Sequence, residues 1–302
     1  MKYKNVIYKE DGSIGRIIFN RPEKHNALSI ELIDEMHRAL DQAEMNDNIK
    51  VVIFSGAGPS FCSGHDLNQI GFQYGWEEQK TGEKVKTPSQ RVRLHFDREN
   101  LCEKLRRIFL FPKVTIAQIH GYCIAEGFYT VSLCDLAIAA KDAQMARSEQ
   151  AFGFGGMGPD FPILVINIGL KRAMEILLTG RYVTGEEAER IGLVNKAVAP
   201  ERLEQEVENL AQQVCLLSAD GIAIAKAERH LNYQAMGLLA GFTHDYVTHT
   251  LGTNVHLEPG EFNLLRERRE RGLTDAIRLR NERLRRISSQ LGDDESEQAG
   301  AK

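Results

Sequence analysis

Phe61-Cys62-Ser63-Gly64-His65-Asp66-Leu67 follows the apolar run Val51-Val52-Ile53-Phe54 and the turn Ser55-Gly56-Ala57-Gly58. A buried strand that closes in small residues presents backbone N–H groups, not side chains, to whatever lies beyond its end. Paired N–H groups of that kind make an oxyanion hole. Glycine-rich turns after strands are common, so this run takes its meaning from three companions. They are Asn20-Arg21-Pro22-Glu23-Lys24-His25-Asn26-Ala27-Leu28 before it, His120-Gly121-Tyr122-Cys123-Ile124-Ala125-Glu126-Gly127 after it, and Ser148-Glu149 further on.

Around these motifs strands and helices alternate. Residues 14–20 read as a strand closed by Arg21-Pro22, and a helix opens near Ser29 with Leu32, Ile33, Met36, Leu40 and Ala43 on one face. Strands recur at 50–55, 114–119 and 134–140, which predicts a layered α/β unit with side-by-side strands. Residues 71–90, polar and dotted with glycine around Tyr74 and Trp76, read as a long loop or lid. The second half is helical. Thr184-Gly185-Glu186-Glu187 has the reciprocal pattern of a capping box, and Leu203, Val207, Leu210, Val214 and Leu217 form one stripe over 200–217. Residues 219–250 are less regular, 261–287 are dense in arginine, and the acidic run 292–297 reads as a disordered tail.

Bulk properties set the limits. The chain has 302 residues, 42% of them hydrophobic and 26% charged, which is ordinary for a soluble enzyme. A net charge of -4 argues against a general nucleic-acid partner. No segment reaches transmembrane length, the N-terminus lacks a signal-peptide core, and the five cysteines are scattered without a Cys-x-x-Cys. These features point to a cytoplasmic enzyme with reduced thiols and no membrane association. The histidines at 230, 244, 249 and 256 lack metal-ligand spacing, so no metal is expected. Gly153 to Gly158 matches G-x-G-x-x-G, but a dinucleotide turn belongs to a compact βαβ unit with an acid further on, and loop glycines explain the match equally well.

In order and spacing the four motifs resemble the enoyl-CoA hydratase/isomerase (crotonase) family, over roughly residues 3 to 285. The resemblance implies an α/β fold: a crotonase-type spiral of ββα turns over 1–200, a C-terminal helical trimerisation region over 201–287, and a tail over 288–302. It implies an acyl-CoA thioester as substrate, with coenzyme A part of that substrate and no separate cofactor, and a homotrimer or dimer of trimers. Chemistry of this kind stabilises a thioester enolate between two backbone N–H groups while carboxyl groups move protons. The matched N–H groups are those of His65 and Glu126. Most relatives have glycine at the second position, and a direct role of the His65 side chain stays open.

Of the two glutamates that flank the double bond in hydratases, the first is matched by Tyr129 and the second by Glu149. Glu149 is the foremost acid/base candidate, its carboxyl partly desolvated among Met145, Phe152 and Phe154. Asp160 falls where several relatives carry an aspartate, and it is equally placed to cap the helix that starts at Phe161. The resemblance puts the CoA-binding residues at Arg21, Lys24, Ala27, Ser63, Gly64, Asp66 and Leu67, with one or two C-terminal arginines reaching the phosphates. One matched glutamate in place of two leans toward double-bond isomerisation, or toward hydration of a bulky or atypical enoyl-CoA. An acyl-CoA hydrolase and a catalytically inactive CoA-binding protein are the alternatives.

Overall fold

The computed structural model describes residues 3–69, 88–156, 158–252 and 255–283. Most of the expected lid and the whole tail lie outside those residues. Six strands form the main sheet, in the order β1 (Val6–Asp11), β2 (Ile14–Phe19), β3 (Val51–Gly56), β4 (Val114–Ile119), β6 (Leu136–Ala140) and β9 (Lys196–Val198). Only β1 and β2 pair antiparallel; the remaining neighbours are parallel. Val51 to Phe54 are all buried, as an interior parallel strand covered on both faces requires. A second, small sheet holds β5 (Tyr122–Ile124), β7 (Gln144–Ala146) and β8 (Val183–Thr184).

Strands enter the two sheets in turn. β4 and β5 are followed by α4 (Glu126–Leu133), and β6 and β7 by α5 (Phe161–Ile168) and α6 (Leu170–Thr179). This is the expected succession of ββα turns. The first helix, α1 (Ile30–Met45), begins where predicted, with the Ser29 side chain accepting from the Leu32 N–H. Thr184 caps α7 (Gly185–Ile191) in the same way, but the expected capping box is only half made. The Glu187 carboxylate turns to the Arg181 guanidinium instead, because an ion pair is a stronger use of it.

One core runs through the sheet and takes in Leu203, Val207 and Ala211 of α8 (Leu203–Cys215) and Phe242 of α10 (Ala240–Gly252). Leu217 leaves the expected stripe, since α8 ends at Cys215 and Leu217 is exposed. Residues 219–250 are more regular than their sequence reads: α9 (Ala219–Ala235) and α10 account for most of them. A smaller core of Phe152, Leu264 and Ala276, joined by Leu67, Phe154 and Ile277, ties the C-terminal segment to the loops beside the site. It includes α11 (Leu264–Arg271) and a helical stretch over 273–283.

Candidate active site

Two chain crossings bring together the segments that carry the expected oxyanion donors. Cys62 bridges Cys123 and Leu28 bridges His65, so the first three motifs lie side by side. At the crossing Gly64 has φ +86, and a Cβ there would stand 2.8 Å from the Ala125 Cβ and 3.0 Å from the Ile124 carbonyl oxygen. Only glycine fits a positive φ at such a close approach. Ala125 itself has φ 53 and ψ -117, a conformation that costs an L-residue on the order of 1–3 kcal/mol. That ψ turns the peptide carrying the Glu126 N–H at the start of α4, where the helix end favours an anion. The His65 and Glu126 N–H groups have no backbone acceptor among the described residues, and both residues line a cavity of about 450 Å³.

The side chains of the same two residues face each other. His65 Nε2 lies 2.6 Å from Glu126 Oε1. Glu126 is buried, and its Oε2 has no hydrogen-bond partner.

Tyr129 and Glu149 meet on the cavity wall, the phenol donating to Glu149 Oε1 at 2.5 Å. Burial holds the Tyr129 hydroxyl well above its usual range; Arg147 opposes this and Glu149 reinforces it. The tyrosine is therefore a neutral donor across the working pH range, not a second base. Behind the pair sits Arg147, wholly buried, its guanidinium 4.2 Å from the Tyr129 ring centroid and its Nε 3.8 Å from Glu149 Oε2. Burial disfavours the Arg147 charge, but Asp160, Tyr129 and Glu149 outweigh it and hold the side chain cationic.

Asp160 corrects the expectation of a catalytic carboxylate. It has no exposed surface and accepts from Arg147 Nη1 at 3.0 and 3.2 Å, one distance for each oxygen. It stands before α5 but makes no side-chain cap bond, so the capping role fails too. A buried guanidinium in an apolar setting draws the nearest carboxylate, and Asp160 is that counterion. Its influence on Glu149 runs through Arg147.

Of the matched CoA residues, Lys24, Ala27, Ser63, Asp66 and Leu67 line the cavity. Gly64 serves the crossing described above. Arg21 stands apart from these: its Nη2 is 2.9 Å from Asp66 Oδ2 and its Nη1 donates to the Ala27 carbonyl at 2.5 Å. It braces two loops against each other and does not line the cavity. The Asp66 carboxyl is held below its ordinary range, because the Arg21 and Asn68 contacts outweigh its partial burial. Lys24 has no ion-pair partner among the described residues, which leaves its ammonium available at the cavity.

Four lining or supporting residues escape the motifs. Arg147 precedes Ser148-Glu149 and follows buried Met145 and Ala146, a cation directly after a buried strand, which is itself a signal. Asp245 and His249, four apart on α10, also line the cavity. His249 Nδ1 is 3.2 Å from buried Asp97 Oδ2, and the Cys102 thiol donates to Asp245 at 3.2 Å. Burial works against the His249 imidazolium, but Asp97, Asp245 and Glu126 outweigh it and raise its pKa. Arg280 lies over the Phe152 ring, 4.1 Å from its centroid, and lines the cavity as well. No group of three or more ligating side chains among the described residues could hold a metal ion. No helix among them is long and apolar enough to cross a membrane.

Known proteins share this arrangement of segments. The family described as Enoyl-CoA hydratase/isomerase matches residues 9–255. The short-chain-enoyl-CoA hydratase of Clostridium acetobutylicum is 28% identical over 77% of this chain and 82% of its own length. A peroxisomal Delta(3,5)-Delta(2,4)-dienoyl-CoA isomerase of Arabidopsis thaliana is 32% identical over 62% of this chain and 66% of its own. Among crystal structures, an enoyl-CoA hydratase/isomerase from Xanthobacter autotrophicus Py2 superposes with a TM-score of 0.77 at 28% identity, covering 93% of this chain and 99% of the other. With the fold, the crossing at Gly64 and Ala125, and a match running through nearly the whole core, the chain belongs to the enoyl-CoA hydratase/isomerase family.

Proposed function

We propose that this protein stabilises the enolate of an enoyl-CoA thioester and carries out hydration or double-bond isomerisation of a bulky or atypical acyl group. The thioester oxygen sits between the His65 and Glu126 N–H groups, and Glu149 moves the proton. The observation that carries this reading is the Tyr129–Glu149 hydrogen bond on the same cavity wall as the two N–H groups. A neutral phenol on Oε1 and buried Arg147 beside enclosed Oε2 together fix the orientation of Glu149 on the cavity wall. Lys24 is the proposed partner of the CoA phosphates, with Arg280 the C-terminal arginine placed to assist. A Glu149/Asp160 pair for hydrolysis lacks support, because Asp160 is enclosed on Arg147.

The five free cysteines support a reducing, cytoplasmic setting. Exposed Leu216, Leu217, Ile224, Leu231 and Met236, on and around α9, support assembly as a homotrimer or dimer of trimers.

The test is kinetic. Glu149→Gln is expected to lower kcat on a responsive enoyl-CoA by about 10²- to 10⁴-fold with CoA affinity unchanged. Unchanged turnover in that variant, or no turnover by the wild type on any of a panel of 2-enoyl, 3-enoyl, dienoyl and cyclic acyl-CoAs, would remove the proposal.

A further inference from the structure

We propose that the His65 imidazole is a second acid–base group of this site, oriented by the Glu126 carboxylate, and that it serves the α-carbon of the thioester while Glu149 serves the carbon beyond. The inference rests on the enolate reading above and assigns the second proton carrier that Tyr129 does not supply.

Three observations carry it. First, the order of groups is that of an oriented base: a buried carboxylate, an imidazole 2.6 Å away, then a cavity. Both residues line the cavity, and with 21% of its side chain exposed against 8% of Glu126, the His65 ring is the more accessible of the two. Second, both ring nitrogens are accounted for. Nε2 holds Glu126, which leaves Nδ1 as the nitrogen able to exchange a proton with the substrate. The contact with Glu126 fixes the orientation of the ring. Third, the alternative supplier is excluded by contact. Tyr129, at the position matched to the hydratase carboxylate, donates its proton to Glu149 and is kept neutral by burial.

Position favours the α-carbon. The residue whose N–H meets the thioester oxygen stands beside the carbonyl carbon, and the α-carbon is the next atom along. In hydration, Glu149 takes a proton from water as the water oxygen bonds to the β-carbon, and the π pair moves onto the thioester oxygen. The enolate pair then bonds to a proton of the His65 imidazolium as that N–H bond breaks. Glu149 is left protonated and His65 neutral, and one proton passes from Glu149 through solvent to His65, so the sum is addition of water. In isomerisation His65 takes the α-proton and protonated Glu149 delivers one to the γ-carbon, and the reset runs the other way, one proton passing from His65 through solvent to Glu149.

The experiment is His65→Ala in the full chain, which keeps the backbone N–H, assayed on an enoyl-CoA that the wild type turns over. We expect kcat to fall about 100-fold or more with KM within about threefold, and added imidazole to restore at least about tenfold of the loss. Glu126→Gln is expected to lower kcat by about tenfold, with no response to imidazole, as befits a positioning residue whose base is still in place. Turnover by His65→Ala within about threefold of wild type overturns the proposal. So does a loss that imidazole fails to lift while circular dichroism and CoA affinity stay native. If the alanine variant does not fold, His65→Asn is judged by the same rate criterion. A wild type inert toward every acyl-CoA brings down the enolate reading itself, a result visible before any variant is made.

Discussion

At the scale of the residue, the site depends on two backbone conformations that few side chains tolerate. Gly64 at φ +86 touches Ala125, and Ala125 holds a positive φ of its own. Gly64→Ala is expected to force the crossing apart and to raise the barrier by about 3 kcal/mol, the usual cost of one oxyanion donor, with little change in the far-UV spectrum. Ala125→Gly relaxes the strained residue, and we expect a gain in stability of up to about 1 kcal/mol by urea unfolding. The Arg147–Asp160 pair makes a different prediction. Removing one partner leaves a buried charge alone, so Asp160→Asn and Arg147→Met should each lose about 3–5 kcal/mol, and the double variant less than the sum. The motif residues were legible because their types are dictated locally, by turn geometry or by the chemistry they present. Arg147 and Asp160 were not, because each is explained by the other across an intervening loop.

At the scale of the element, helix α1 carries a consequence for pH. His37 lies on its buried face with no partner for Nε2, and burial, aided by Lys104 and Arg107, lowers its pKa to about 3. The folded state thus disfavours the charged ring, and its contribution is present above the unfolded pKa near 6.5 and lost as pH falls toward 3. At pH 4.5 the cost is about 2–3 kcal/mol relative to pH 7. Urea midpoints at the two pH values should therefore converge in His37→Leu, whereas an unaltered difference would contradict the assignment. Strands β3 and β6 were readable because interior parallel strands are near-continuous apolar runs, and β2 and β4 because their apolar residues outnumber the polar ones between clear turns. Helix α10 was hidden for the opposite reason. Its buried face carries Asp245 and Thr250, satisfied by Cys102 and Asp97 from another element, so its polarity mimics a surface segment.

At the scale of the whole molecule, the C-terminal segment completes the cavity rather than merely following the spiral. Leu264, Ala276 and Ile277 join Phe152 and Leu67 in one small core, and Arg268 donates to the Leu67 carbonyl at 2.6 Å. Leu264→Ala, at a fully buried position, is expected to cost about 2–4 kcal/mol in this unit and to raise KM for the acyl-CoA, by loosening the wall that holds Phe152. The arginine-rich composition of 261–287 indicated a solvated helix, and its described part is two helical stretches parted at Gly272, with Arg278 paired to Asp275 and Glu282 on the outer face. That Arg280 instead turns inward onto Phe152 depends on a contact 128 positions distant in sequence, which no local pattern encodes. The central claim is that this assembled cavity makes a thioester enolate. It is tested most directly by incubating the wild-type protein with the acyl-CoA panel in heavy water and reading the products by mass spectrometry. The account predicts conversion of an enoyl-CoA with deuterium bound at the α-carbon. Release of free CoA with no deuterium in the acyl product, or no conversion of any acyl-CoA that binds, would contradict it.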